Sequence, residues 1–125
     1  MSLRAAVAAA GKAAARADGT KIKLQRGDVT IECVPCTKGS SQFATLDASG
    51  AVVTIRSQDY LIIQELYDFG DGPVEPARGD LVIEEQEDGE HTYELLDVPG
   101  APSWRWSDQY RTRVRLHTKE IAKPT

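Results

Sequence analysis

The chain has 125 residues, enough for one domain that buries a core without help from a metal or a disulfide. With 41% hydrophobic and 27% charged residues it has an ordinary globular composition, which excludes wholesale disorder, and no run approaches the roughly 18 apolar residues that cross a membrane. A net charge of -4 argues against a general nucleic-acid binder, which carries a large positive excess.

The first 19 residues are rich in alanine. The apolar run Ala5 to Ala10 is shorter than the core of a secretory signal, lacks leucine and is followed closely by Lys12 and Arg16. The stretch reads instead as a short helix, with Ser2 as N-cap and Gly19 where a left-handed terminal residue belongs. Its face is poor in large side chains and buries little by itself. Without a signal, the chain is expected to stay in a reducing compartment. The expected organisation is a helical segment over 1–19 and a single β domain over 20–125.

Next come short segments with turn punctuation. Ile22 and Leu24 alternate inward, Gly27-Asp28 turns the chain, and Val29, Ile31 and Cys33 then share a face opposite Thr30, Glu32 and Val34. Thr37 to Ser41 reads as polar loop. Phe43–Leu46 and Val52–Arg56 flank Asp47-Ala-Ser-Gly50 as a hairpin. Asp59 to Ile63 is an apolar run, a strand by its β-branched content, with a short helix as the alternative. Tyr67 to Gly79 holds three glycines and two prolines and must be an extended loop. Leu81–Glu85 and Thr92–Val98, joined at Asp88-Gly89, make a second hairpin, and Pro99 to Ser103 breaks the chain again. The pattern predicts a mainly-β fold: a small β-barrel, SH3-like or similar, with long loops.

The last stretch, Trp104 to Ile121, is the most informative. From Tyr110 it alternates Tyr110, Thr112, Val114, Leu116 and Thr118 against Arg111, Arg113, Arg115, His117 and Lys119, a strand with one cationic face. That face either pairs inside the fold with Glu84, Glu85, Glu87, Asp88 and Glu90, at roughly 0.2–1 kcal/mol per cross-strand pair, or meets an acidic partner. Trp104 and Trp106 point one way and Arg105 the other, as an interface anchor or as a plug for the core.

Other constellations have bland readings. Cys33-Val-Pro-Cys36 lacks the second ligand pair of a zinc site and the strand-to-helix setting of a redox site, so it reads as incidental. Arg26-Gly-Asp28 and Arg78-Gly-Asp80 are turn chemistry. Asp68, Asp71 and Glu75 lack calcium-loop spacing and read as a solvated acidic loop. Neither histidine has an adjacent nucleophile, so no catalysis and no cofactor are expected.

Five blocks then carry a resemblance: Asp59-Tyr-Leu-Ile62, Pro76-Ala-Arg-Gly-Asp80, Tyr93-Glu-Leu-Leu96, Trp104-Arg-Trp-Ser-Asp108 and Arg115-Leu-His-Thr-Lys119. Over Val29 to Ile121 the chain resembles head–tail connector proteins of tailed bacteriophages and prophages, of the head-completion or stopper type. The resemblance implies a virion subunit on a small β-barrel, present in the host cytoplasm before assembly. It implies a homo-oligomeric ring, sixfold or twelvefold, between portal or adaptor and tail proteins, with DNA passing through. No cofactor or membrane is implied. The acidic balance suits such a channel, since fixed cations would hold phosphates. The candidate interface is Trp104, Trp106, Arg111, Arg113 and Arg115, with Asp68, Asp71 and Glu75 on the long loop. A tail terminator or another tail-side ring protein is the first alternative. A cellular binding module using the Trp104/Trp106 loop is the second.

Overall fold

The computed structural model describes residues 20–124, and the helix expected over 1–19 lies outside them. The described chain forms seven strands: β1 (Thr20–Arg26), β2 (Val29–Leu46), β3 (Val52–Ile63), β4 (Leu81–Gln86), β5 (Gly89–Leu95), β6 (Trp104–Trp106) and β7 (Arg113–Ala122). A single 3-10 turn, Gln64–Leu66, follows β3. The fold is mainly β, as its sequence predicts. Pairing is antiparallel in the order β3-β2-β1-β4-β5-β7, and β7 also pairs β3, so the hydrogen bonding runs round in a closed circuit. Short β6 adds to β7 through Val114–Leu116.

Inward positions of successive strands fill one core. Ile22, Leu24, Tyr60, Ile62, Val82, Leu95, Val114 and Leu116 are all buried, and Trp104, Trp106, Phe69 and Val74 pack against them from the edge. Each fully buried aliphatic side chain contributes about 1.5–3 kcal/mol of transfer free energy. Alternation on β1, β3 and β7 is therefore what fixes register, because a slip of one residue would expose the whole set.

Three local expectations change. First, β2 does not bury Cys33. Ile22 faces Val34 and Leu24 faces Ile31, so three steps on β2 match two on β1. The extra residue is a bulge, with Cys33 at φ 58°, and it reverses the alternation beyond it. Val34 and Cys36 turn inward while Cys33 is exposed.

Second, Thr37 to Ser41 is strand, not loop. β2 pairs β3 without interruption from Thr37↔Leu61 to Leu46↔Val52. Its polar residues face other polar groups: Ser41 donates to Asp59, and a Cβ at Gly39 would sit 3.0 Å from the Arg115 guanidinium. Third, the final strand starts at Arg113, not Tyr110. Asp108 takes hydrogen bonds from the Thr112 and Arg113 N–H groups and from the Thr112 hydroxyl, building a turn in which Arg111 has φ 54°.

The long loop is irregular, as its glycines and prolines require. It is nonetheless pinned. Asp80, buried, takes a two-pronged contact from Arg26 at 2.8 Å in each arm, plus the Tyr67 hydroxyl at 2.6 Å and the Ala77 N–H at 2.9 Å. The arginine of one Arg-Gly-Asp turn thus binds the aspartate of the other, a link that two separate turn readings miss. No described helix is long and apolar enough to cross a membrane.

The two cysteines should behave differently. Burial, with Glu84 nearby, pushes the Cys36 thiol up to about 12, so it acts as a small apolar core group. Cys33→Ser is expected to leave the denaturation midpoint unchanged, whereas Cys36→Ser, placing a hydroxyl in the core, should cost about 1–3 kcal/mol in urea unfolding. Equal effects would contradict the bulge.

Candidate interface on the last strand

The cationic side of β7 rests on one buried acid that the sequence reading left out. Asp59, on β3, lies directly opposite His117 and is fully buried. One carboxylate oxygen accepts from the Ser57 hydroxyl and from His117 Nδ1 at 3.1 Å. The other accepts from the Ser41 hydroxyl at 2.5 Å and Arg115 Nε at 2.6 Å. Arg115 also donates to the Ser40 carbonyl at 3.1 Å. Burial alone would push the Asp59 carboxyl up, but the donors on Ser41, Ser57, Arg115 and His117 outweigh it and hold the group below the ordinary aspartate value.

His117 is not on an exposed face, contrary to the alternation. It is fully buried, and Phe43 meets its ring edge-on at 4.8 Å. Burial lowers its pKa despite the pull of Asp59, with Arg105 and Arg115 adding to the lowering. A neutral ring donating from Nδ1 leaves Nε2 as a buried acceptor without a protein partner. A Ser-His-Asp set is present here, but both serines donate to the aspartate rather than to the histidine. The arrangement is a structural knot, not a nucleophile with its base.

The remaining cations divide. Arg115 is internally paired, though with Asp59 and not with the glutamates of β4 and β5. Those glutamates have other partners: Glu84 takes Lys38 and the Tyr60 hydroxyl at 2.8 Å each, and Glu90 takes Lys23 at 2.9 Å. Arg113 keeps its Nε buried without a hydrogen-bond acceptor. Arg105, exposed on β6, lies directly opposite Arg115, a like-charge pairing that costs stability and that the sequence reading also left out.

Trp104 and Trp106 do point the same way, toward the core side with Leu116 and Val114, and Arg105 points opposite. The rings meet edge to face at 5.4 Å, half-buried, and the Arg111 guanidinium lies 5.9 Å from the Trp106 ring centre. The structure therefore gathers Trp104, Trp106, Arg111, Arg113 and Arg115 at one end of β6 and β7. The acidic loop stands apart in role. Asp68 accepts from the Gly70 and Gly72 N–H groups and shapes the loop itself, while Asp71 and Glu75 are exposed.

These features define a small mainly-β protein that presents charged surfaces on a pinned frame. A family model described as phage head-tail joining protein matches residues 1–125, and the chain belongs to that family. No curated protein matches it significantly. Membership makes the chain a structural protein of the head–tail junction of the phage particle, working with head and tail proteins.

Asp59→Asn should leave Arg115 without its counter-ion. Because Arg115 keeps partial contact with water, the loss is expected near the low end for a broken buried pair, about 3 kcal/mol in denaturant unfolding; a loss under about 1 kcal/mol would remove the knot's importance.

His91 titrates in the opposite sense to His117. Its ring contacts Asp88 at 2.7 Å and Glu120 at 2.5 Å, and both contacts raise its pKa. A raised folded value means that its stabilisation is complete below the unfolded value, near about 6.5, and is lost as pH rises through the folded one. His91→Gln should therefore lower the melting temperature more at about pH 5.5 than at about pH 9. A larger loss at high pH would refute the assignment.

Proposed function

We propose that the chain is a connector subunit that assembles with copies of itself, sixfold or twelvefold, into a ring that closes the head's DNA channel and docks the tail. The match to the head–tail joining family across residues 1–125 carries this reading. The β6–β7 end supports it. Arg105, exposed on β6, and Arg115 are forced together, an arrangement that an incoming acidic surface would relieve. In this reading Arg113 and Arg115 give the cationic face, Trp104 and Trp106 the rigid floor behind it, and Arg111 the flank over Trp106. Asp68 sets the shape of the long loop, from which Asp71 and Glu75 meet a basic neighbour.

The same reading assigns no catalysis and no cofactor. The subunit is in the host cytoplasm before assembly and then becomes part of the virion. An acidic chain lets DNA pass without holding its phosphates. Both tryptophan rings pack on the core, which favours their use as a floor over a separate peptide- or strand-binding slot.

The test is Arg105→Glu, at an exposed position on β6. It should melt close to wild type, since a like-charge clash is removed. Its attachment to tailless heads, or of tails to heads it has completed, should fall at least about tenfold, or 1.4 kcal/mol. Unchanged attachment would remove the cationic face from the interface. Wild-type protein that binds isolated tails but no tailless heads would favour a tail terminator.

A further inference from the structure

The outer part of the β2–β3 ribbon is built unlike the rest of the sheet. β2 pairs β1 only through Val29–Cys36, and β3 pairs β7 only from Gln58 onward. From Thr37 to Leu46, and from Val52 to Ser57, each strand therefore has only the other as a strand partner among the described residues. A two-stranded ribbon with both edges open is marginal alone and offers its backbone to a neighbour. Sheet proteins usually guard such edges with charge or proline, yet between Gln42 and Leu46 and between Val52 and Arg56 the only charge is Arg56.

The ribbon ends in an apolar knob. Leu46 and Val52 face each other across the strands at 65% and 72% exposure, with Val53 beside them at 38%. Apart from Ile121, the other large exposed hydrophobic side chain among the described residues is Val29, at the far end of the same strand. Val29 borders a groove of about 220 Å³ with Phe69 and Val74 on its apolar walls, and the Arg26 guanidinium lies over Phe69 at 4.8 Å. Arg26 is itself locked on Asp80, so this groove belongs to a rigid part of the loop.

The knob and the groove sit at opposite ends of the 18-residue strand β2. At about 3.3 Å per residue that is on the order of 55 Å along the strand, and none of Leu46, Val52 and Val53 lines the groove of its own molecule. An apolar projection and an apolar groove on different parts of one surface make a head-to-tail contact between copies, which closes into a ring when the rotation allows. We propose that the Leu46/Val52/Val53 tip of one copy seats in the Val29/Phe69/Val74 groove of the next. This rests on the ring reading above and names the contact within it.

The experiment uses two full-length variants, Leu46→Asp (tip) and Val29→Asp (groove), followed by analytical ultracentrifugation and native mass spectrometry. Both positions are exposed, and circular dichroism should show both variants folded. Wild type should form species larger than a dimer. Each variant alone should be monomeric. Mixed at equal concentration, they should form a dimer that grows no further, because only one sound tip and one sound groove remain. Assembly of either variant like wild type, or a mixture that stays monomeric, overturns the contact. Wild type that is monomeric at hundreds of micromolar also overturns it, even if the chain still binds tailless heads. That last result would leave the connector reading standing and assign the tip to another phage protein.

Discussion

One buried carboxylate holds the closed circuit of strands together. Asp59 draws Ser41 from β2, Ser57 from its own strand, and Arg115 and His117 from β7, at the place where the last strand returns to β3. An ionised group taken out of water is very costly unless its lone pairs are met, and here four donors meet them. The same arrangement fixes the register of β7 on β3, because a slip by one residue would strand both Asp59 and His117. Gly39 belongs to this arrangement as well, its missing side chain leaving room for the guanidinium.

Once Asp59 has taken Arg115, the character of the outer face follows. The pairing holds one arginine in place opposite Arg105, and Arg113 lies two residues from Arg115 on the same strand. A protein folding only for its own stability would avoid that concentration of positive charge. Asp80 does for the long loop what Asp59 does for the last strand, gathering Arg26, Tyr67 and Ala77. Two buried aspartates thus fix two surfaces, one cationic and one lined with apolar groups, on a frame whose longest strand carries a bare tip. Such a frame suits a subunit whose final stability comes from its neighbours.

Much of the fold is legible from alternation alone, since Ile22 and Leu24, Val82, and Val114 and Leu116 lie inward as period two requires. The family is legible from the tryptophan and arginine blocks. What alternation cannot give is a bulge, because an extra residue at Cys33 leaves no trace in residue type while reversing Val34 and Cys36. Composition misleads at Thr37 to Ser41, where small polar residues mark contact with a buried charge and not a break in the strand. His117 misleads for the same reason: a polar residue on a polar stripe is buried when its partner is a buried acid. The available signal for that partner was Asp59 itself, a single carboxylate heading an apolar strand beside a strand of arginines. Pairing across Arg26 and Asp80 needed the topology, since 54 positions separate them.

The most direct measurement is quantitative mass spectrometry of purified tailed particles with tailless heads from the same lysate. A head–tail joining subunit should appear in both at a constant low copy number per particle. Its absence from both would contradict the account, whatever the surfaces of the isolated chain.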